Sequence, residues 1–542
     1  MDKNSPPHTP RWGMVVDLNR CVGCQTCTVA CKHANDTTPG VQWRQVLDVE
    51  TGIFPDVERI FMVVGCQHCG EPPCVPVCPS GATKQRSDGL VTMDYNMCIG
   101  CGSCAVACPY QARTIVHEDT GYFKNKTEQE KVVAHSERVG VAQKCTFCID
   151  RVDEGVNSGY TPGIDLNATP ACSASCIASA IKFGDFNDPK SEVSLLTEQN
   201  NFFQMHKELG TDPQIKYLYE TPSVPGRAKD EKISQQGQNP YETSLSGRPQ
   251  PFWDMRAAMN FILGGFGAGL IAISYLTYIS SGLEENILPT LYIIGAVIIV
   301  IGLFFVWLKI GRKFRALYVL LRPQTSWMSR EVYAVGFLFA FCALDYFYLS
   351  TIAHLLVALA ALVFLFCQAK ILSSSMGIPA WRSPLIPWML LFSGLYEGIG
   401  LLNLCLAIIF IDIDAINILV AYSLVLNAVN LYLWIRYIID SDKAGISPLA
   451  QTILSKASVW VHLFAHFIPA TFSIVLLIYP VFKTELLIGT GLAILVGSVI
   501  WKSVIIIRAS HHQDFALEKY PKRGSGTYAA PLLSGFPLPK DL

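Results

Sequence analysis

Sixteen of the nineteen cysteines fall in the first 176 residues, in four groups of four. The groups are Cys21-x2-Cys24-x2-Cys27-x3-Cys31, Cys66-x2-Cys69-x4-Cys74-x3-Cys78, Cys98-x2-Cys101-x2-Cys104-x3-Cys108 and Cys145-x2-Cys148-x23-Cys172-x3-Cys176. A [4Fe–4S] cube needs four thiolates around it; a tight C-x2-C-x2-C loop wraps three iron corners, and the last cysteine of such a run serves a different cube. Sixteen thiolates therefore make four cubes and a path for electrons. Structural zinc uses C-x2-C pairs and competes mainly for the second and fourth groups. It has no use for four-cysteine runs ending in C-x3-C, and Cys78-Pro79 and Cys108-Pro109 complete the iron–sulfur signature. Disulfides would need export to an oxidising compartment, and MDKNSPPHTPRWGMVVDLNRC carries neither an apolar signal core nor a twin arginine.

The neighbours of the cysteines suit this use. Gly23, Gly100, Gly102, Ala30 and Ala107 let backbone N–H groups approach cluster sulfurs, where hydrogen bonds help set the reduction potential; the same residues also simply make tight turns. Lys144 before Cys145 and Arg151 after Cys148 are candidates for raising a nearby potential. The plainer expectation is that both face solvent or a neighbouring subunit.

Holding these loops in place falls to two unlike halves. The chain is 51% hydrophobic and only 16% charged, too apolar for an ordinary soluble protein. Up to about residue 250 it is polar, Cys- and Pro-rich; beyond about 258 it becomes a series of apolar runs. Gly226 to Pro251 is polar and aperiodic, a linker. A net charge of −1 without a basic tract excludes a nucleic-acid partner. A bilayer core needs roughly 20 apolar helical residues. Eight such runs occur near 258–280, 288–308, 331–349, 351–372, 386–411, 415–439, 458–482 and 485–507, the third and fourth parted only by a polar kink near Asp345 to Ser350. The expected organisation is thus 1–190 for the four-cluster domain, 191–255 for an extension and polar linker, 256–510 for an eight-span membrane anchor and 511–542 for a tail.

Loop charge gives an orientation. Lys309, Arg312, Lys313, Arg315, Arg322 and Arg330 follow span two; Lys370 and Arg382 follow span four; Arg436, Lys443 and Lys456 surround the turn after span six; Arg508, Lys519, Lys522 and Arg523 lie in the tail. The opposite side has Glu284, Glu285, Asp412 and Asp414, with Lys483 alone. The expectation is a multi-pass protein of the inner (cytoplasmic) membrane, with its iron–sulfur half facing the cytoplasm.

The motifs CVGCQTCTVAC, CQHCGEPPCVPVCPSGA, CIGCGSCAVACPYQAR and KCTFCIDR…PACSASCIASAIKFGD resemble the iron–sulfur subunit of the DMSO reductase family of molybdenum oxidoreductases. Residues 255 to 510 resemble that family's eight-span anchor subunit, through TSWMSREVYAVGF and WRSPLIPWMLLFSGLYEG; the polysulfide-reductase type of anchor is the rival likeness. The resemblance implies an α+β ferredoxin-like domain of tandem bi-cluster type, followed by an all-α eight-helix transmembrane bundle. It also implies the ligand sets: Cys21, Cys24 and Cys27 with Cys176; Cys145, Cys148 and Cys172 with Cys31; Cys66, Cys69 and Cys74 with Cys108; and Cys98, Cys101 and Cys104 with Cys78. By the same likeness the first set adjoins a catalytic subunit and the last adjoins the membrane and a quinone.

Ionisable residues inside a bilayer default to functional candidates. His462 and His466 stand four apart on span seven, and Arg330 and Glu331 open span three; these four are the quinone-site candidates, since quinone chemistry moves protons with electrons. No haem is expected, because His354, the remaining span histidine, starts on the opposite side. The histidines could instead bond within the bundle, as expected of Asn403, Asn427 and Asn430. Glu397, roughly 16 Å in by helical rise, is a proton-path candidate or a neutral acid bonded to a neighbouring helix. Cys342, Cys367 and Cys405 read as small packing residues.

Taken together, the expected protein is a non-catalytic electron-transfer and anchor subunit. It relays electrons between a membrane quinone or quinol and a molybdopterin (bis-MGD) catalytic subunit in another chain. A cytoplasmic iron–sulfur half favours sulfite oxidation (a sulfite dehydrogenase using quinone). The alternatives are a DMSO, polysulfide or thiosulfate reductase subunit fed by menaquinol, an ion-pumping redox complex using Glu397, and a quinone-linked ferredoxin oxidase without a molybdenum partner.

Overall fold

A computed structural model of the chain describes residues 9–53, 56–119, 121–123, 125–132, 135–218, 247–281, 283–410, 416–479 and 482–515. Most of the polar linker, Asp412, Asp414 and the tail cations Lys519, Lys522 and Arg523 lie outside the described residues.

The first half is α+β. Its central strand, Trp12–Asp17, pairs antiparallel with Ile181–Asp185 and parallel with Ile215–Leu218, which in turn pairs with Phe202–Phe203. Alternation places Met14 and Val16 in the core that holds the cysteines, while Val15 packs with Val193 and Leu218 on the other face. The extension after residue 190 therefore completes the sheet as far as Leu218, which shortens the stretch available as linker. A long hairpin, Arg44–Ile53 against Asp56–Gly65, and short helices Thr26–Ala34, Ser103–Val106, Ile149–Asn157 and Ala171–Ala174 carry or abut the cysteine loops.

The second half contains eight helices long and apolar enough to cross a membrane: Met255–Ser280, Glu285–Lys309, Trp327–Tyr348, Thr351–Ser373, Ile386–Ile409, Ile416–Ile439, Pro448–Ile478 and Lys483–Arg508. The seventh begins ten residues earlier than the apolar run implies. Ser447 caps it by accepting from the Ala450 N–H, and Pro448 takes the first helical turn, where its missing N–H costs nothing. Between spans three and four the break is Leu349–Ser350, with the Ser350 hydroxyl accepting from the Ala353 N–H.

Burial sorts the helices into two shells. Spans one, four, five and eight have 61–67% of their apolar windows buried, while spans two, three, six and seven have 28–33% and show their outer faces to lipid. Glycines set the closest approaches. A Cβ on Gly398 of span five would lie 2.2 Å from the Gly269 backbone of span one, and one on Gly491 of span eight 2.5 Å from the Gly400 carbonyl. Without a hydrophobic drive between helices in lipid, such backbone contact supplies the packing.

The halves dock through backbone. Gly311 and Arg312, after span two, donate to the carbonyls of Gly100 (3.4 Å) and Ile99 (3.0 Å), and Gly377, after span four, donates to Val106 (3.0 Å). Arg315 Nη1 donates to Tyr95 O (2.7 Å), Arg312 Nη2 to Ser136 O (2.5 Å), and Arg322 packs on Gly81.

Gly398→Val should lower the unfolding temperature of the detergent-solubilised protein, since overpacking costs typically about 1–3 kcal/mol and rigid backbone opposes the new side chain. Gly336→Val on span three, where a Cβ meets nothing within 4 Å, should leave it unchanged in the same thermal scan.

Candidate functional site

The first C-x2-C loop of each group has a left-handed residue immediately before its second cysteine: Gly23 (φ 71°), His68 (φ 43°), Gly100 (φ 71°) and Phe147 (φ 57°). That conformation is free for glycine and costs a residue with a Cβ. His68 and Phe147 meet the cost by packing on each other, fully buried, with ring centroids 3.9 Å apart. His68 Nδ1 accepts from the Val91 N–H (3.0 Å), which makes Nε2 the donor to Cys145 O (3.1 Å). Burial and the Lys144 charge hold this imidazole well below its ordinary pKa, hence neutral. The sequence singled out the glycines of these turns but not His68 or Phe147.

The turns bring the cysteines together in four sets. Cys21, Cys24, Cys27 and Cys176 line one cavity of about 320 Å³. Cys66, Cys69, Cys74 and Cys108 line another of about 330 Å³, and Cys78, Cys98, Cys101 and Cys104 a third of about 280 Å³. Cys31 faces Cys145, Cys148 and Cys172, and the Asn35 amide spans this set, 3.8 Å from Cys31 Sγ and 3.5 Å from Cys148 Sγ. In every set three thiols come from one group and the fourth from another.

The donor chemistry fits a metal cluster. Burial pushes the thiols of Cys27 and Cys98 up to about 11 and those of Cys108 and Cys145 up to about 12, outweighing the charge of Arg44 on Cys27 and Cys145 and of Arg113 on Cys108. Iron would supply the positive charge that makes them thiolates, releasing their protons. N–H donors already point at sulfur: Ala180 to Cys176 (3.2 Å) and Phe147 to Cys145 (3.4 Å).

Three cations are buried among these sets. Arg44 is wholly buried; its charge faces Cys172, Cys145 and Cys31 and reaches Cys27. Lys144 is also wholly buried, donating to Cys145 O (2.8 Å) and to Val91 O, and faces Cys66, Cys145 and Cys74. Arg113 Nη2 donates to Cys74 Sγ (3.1 Å) and Nη1 to Thr83 Oγ1 (3.1 Å), with its charge also on Cys104. The plainer expectation for Lys144 is thereby corrected: it meets neither solvent nor a free surface, because its chain direction out of Cys145 leads inward. Arg151 donates to Leu166 O (2.6 Å) at the surface. The shared contacts also give the order of the sets: Cys21, then Cys145, then Cys66, then Cys98.

The ends of this row differ. At the first set Cys24 is exposed, and Val22, Val29 and Ile177 are 49%, 65% and 72% exposed around it. At the last set, Cys101 also lines a cavity of about 410 Å³ in the membrane half, with Trp253, Asn260, Phe261, Lys309, Met328 and Glu331 among its walls. Lys309 Nζ (2.5 Å) and Trp253 Nε1 (3.2 Å) both donate to Cys101 O. Glu331 Oε1 accepts from the amides of Asn260 (3.0 Å) and Gln368 (3.2 Å), while Asn260 Oδ1 is buried without a partner.

The other membrane candidates separate from Glu331. Arg330 turns to the loop carbonyls of Pro323 (2.8 Å) and Gln324 (2.6 Å) and lies over Trp327. His466 bonds Asn427 Oδ1 through Nδ1 (3.0 Å), and His462 lies on the same helix with its ring 6.0 Å away. A second cavity, about 400 Å³, is lined by His466, Tyr396, Trp434, Trp501, Ser498 and Glu397. There Glu397 forms an ion pair with Lys502 (2.7 Å) and accepts from the Ser498 hydroxyl, and Lys502 also donates to Phe261 O (2.7 Å). Glu397 is thus bonded to a neighbouring helix, as one expectation had it, but to a lysine. Lys502 was overlooked although a lysine inside an apolar run is itself the signal. His354 lies buried 2.6 Å from Asp345.

Comparisons with known proteins agree with the first half. A 4Fe-4S dicluster domain model matches residues 57–132 and a 4Fe-4S binding domain model residues 12–33. A selenate reductase subunit of Mesobacillus selenatarsenatis is 39% identical over 226 residues, 39% of this chain and 73% of that protein. A sulfite dehydrogenase subunit of Allochromatium vinosum is 38% identical over 221 residues (38% and 81%), and the menaquinone reductase iron–sulfur cluster-binding subunit of Nitratidesulfovibrio vulgaris 36% over 229 (38% and 88%). The chain belongs to the family of DMSO-reductase-type iron–sulfur subunits, here continued by a helical region that fits a membrane anchor.

Stripping iron by oxidation and chelation should unfold the first 218 residues selectively, because it leaves the charges of Arg44, Lys144 and Arg113 buried without anionic partners. Limited proteolysis should then cleave before residue 218 while the membrane helices stay protected and keep their far-ultraviolet helical signal.

Proposed function

We propose that this iron–sulfur family member carries electrons singly through four [4Fe–4S] clusters, between a quinone in the membrane and a separate molybdenum (bis-MGD) catalytic subunit. The observation that carries the reading is the unbroken row of four cysteine sets, exposed and apolar-rimmed at one end and sharing Cys101 with a membrane cavity at the other. The clusters would be held by Cys21, Cys24, Cys27 and Cys176; by Cys145, Cys148, Cys172 and Cys31; by Cys66, Cys69, Cys74 and Cys108; and by Cys98, Cys101, Cys104 and Cys78. The bound clusters supply one-electron redox chemistry. The exposed Val22, Val29 and Ile177 suit a permanent partner at the first set, where burying apolar surface excludes water.

In the membrane the quinone ring would occupy the cavity beside Cys101. Reduction of a quinone to quinol takes two electrons, passed singly from the last set, and two protons; Glu331, whose Oε1 the two amides hold in place, would deliver one and water the other, and quinol oxidation would run through the same groups in reverse. Asn260 Oδ1, left without a partner, suits a quinol O–H, and Lys309 lies beside the ring. His462, His466 and Arg330 stand apart from that cavity and take no part in this reading.

For the partner's substrate we assign sulfite, oxidised to sulfate with water supplying the oxygen and the two electrons reducing quinone to quinol. The support is loop charge that favours a cytoplasmic iron–sulfur half, together with a sulfite dehydrogenase subunit among the relatives. One structural observation favours a second reading. Lys309, Arg312, Arg315 and Arg322 are committed to docking the iron–sulfur half, so their charge has a reason independent of topology. The second reading is a reductase complex on the outer face, fed by menaquinol.

Labelling cysteines introduced in the loop near Glu284 and after Arg508, in intact cells, separates the two: an inaccessible 508 site supports sulfite, and an accessible one removes it. Glu331→Gln should slow quinone-linked turnover by about 10²-fold, the usual scale of a lost proton-transfer group, with the dithionite-reduced EPR spectrum unchanged. Cys108→Ala should alter the EPR signal of the Cys66 set and spare that of the Cys98 set.

A further inference from the structure

We propose that Arg44, Lys144 and Arg113 act as charge spacers along the electron path, one positive charge in each gap between consecutive cysteine sets, each raising the reduction potentials of the two clusters it faces. The inference rests on the four-cluster reading above.

Position carries it. Lys144 donates to Cys145 O of the second set and to the carbonyl of Val91, which lines the cavity of the third, so its charge acts on Cys66 and Cys74. Arg113 lines the cavity of the third set, donates to Cys74 Sγ, and lies 3.5 Å from the sulfur of Met93, which lines the cavity of the fourth, so its charge acts on Cys104 as well. Arg44, wholly buried, donates through Nη2 to Met14 Sδ (3.1 Å) in the core that also holds Cys21 and Cys27 of the first set and Cys31, Cys145 and Cys172 of the second, and its charge acts on Cys27 and on those three. The three residues come from unrelated segments: the start of a hairpin strand, the residue before a cysteine group and the fifth residue after one. No single motif delivers them, yet each gap receives one. Lys309, bonded to Cys101 O, continues the series between the last set and the membrane cavity.

Burial shows what the charges are for. All three are at most 4% exposed, and none makes an ion pair with a carboxylate among the described residues. Arg44 even leaves Nε and Nη1 without hydrogen bonds. A buried cation persists only with an anionic partner, and the anions on offer are the thiolates of the two flanking sets. A cube held by four thiolates is anionic, and more so when reduced, so a neighbouring cation favours reduction. A row of four such cubes also repels its own electrons, and a cation between neighbours weakens that repulsion. The influence falls with distance, so each cation acts on two clusters and not on four.

The test uses the full chain in detergent with its clusters assembled, comparing Lys144→Met and Arg113→Met with the charge-conserving Lys144→Arg and Arg113→Lys. Iron and sulfide are counted, and the four EPR signals are titrated against potential, assigned with single-cysteine variants. Unsubstituted protein should hold about sixteen irons, four per cube. Lys144→Met should lower the potentials of the Cys145 and Cys66 clusters alone, so that at the original midpoint the reduced-to-oxidised ratio falls about tenfold, equivalent to 59 mV for one electron. Arg113→Met should do the same to the Cys66 and Cys98 clusters, and the charge-conserving variants should leave all four in place. Loss of a cluster in a methionine variant that its charge-conserving counterpart retains also supports the proposal. Unmoved potentials, an equal shift of all four, or cluster loss in both kinds of variant would overturn it. Fewer than four clusters in the unsubstituted protein would instead overturn the reading beneath it.

Discussion

Two hydrogen bonds converge on one backbone carbonyl, that of Cys101, and the connection between the halves depends on them. The donors, Lys309 Nζ and Trp253 Nε1, belong to the membrane half, and the acceptor belongs to the last cysteine loop. The approach is possible because Gly100, Gly140 and Gly311 meet with no side chains between them; a Cβ on Gly100 would lie 2.0 Å from the Gly140 carbonyl. Electron tunnelling weakens steeply with distance, so a loosely tethered domain would serve poorly. Here hydrogen bonds between the halves set the position.

A second constraint comes from charge. The first half builds its main core around its cysteines: Cys21, Cys27, Cys31, Cys69, Cys108, Cys145 and Cys172 all count among its buried residues. Large apolar side chains such as Trp12, Met62 and Phe147 pack with them, but three buried cations make this core unfavourable without compensating negative charge. Metal loading and folding of this half are therefore coupled.

Much of this was legible in the residues. Cysteine spacing gave the sets of three, and a family likeness supplied the exchange of fourth cysteines that the cavities show as proximity. Apolar length gave the eight spans to within a few residues, except at span seven, where a Ser-Pro cap extends a helix beyond its apolar stretch. The buried cations were not legible, because a lysine or arginine between cysteines looks the same whether it points inward or outward; only the fold fixes that direction. For the same reason Glu331 and His466, alike as polar residues within apolar spans, separate into different cavities. Loop charge was legible and ambiguous, since cations that dock a domain and cations that orient a membrane protein occupy the same loops.

The surface that receives the iron–sulfur half is assembled from distant parts of the chain: the turn after span two, the turn after span four, and the stretch after span eight, where Gln513 donates to Gly377 O (2.9 Å) and His512 to Arg248 O (2.9 Å). That surface is complete only once the eighth helix has entered the bilayer. During synthesis the cysteine-rich half, complete at Leu218, emerges first, and about 300 further residues must be translated before Gln513 joins its platform. The order of biogenesis is thus written into the docking contacts, with the last-made helix closing the socket for the first-made domain.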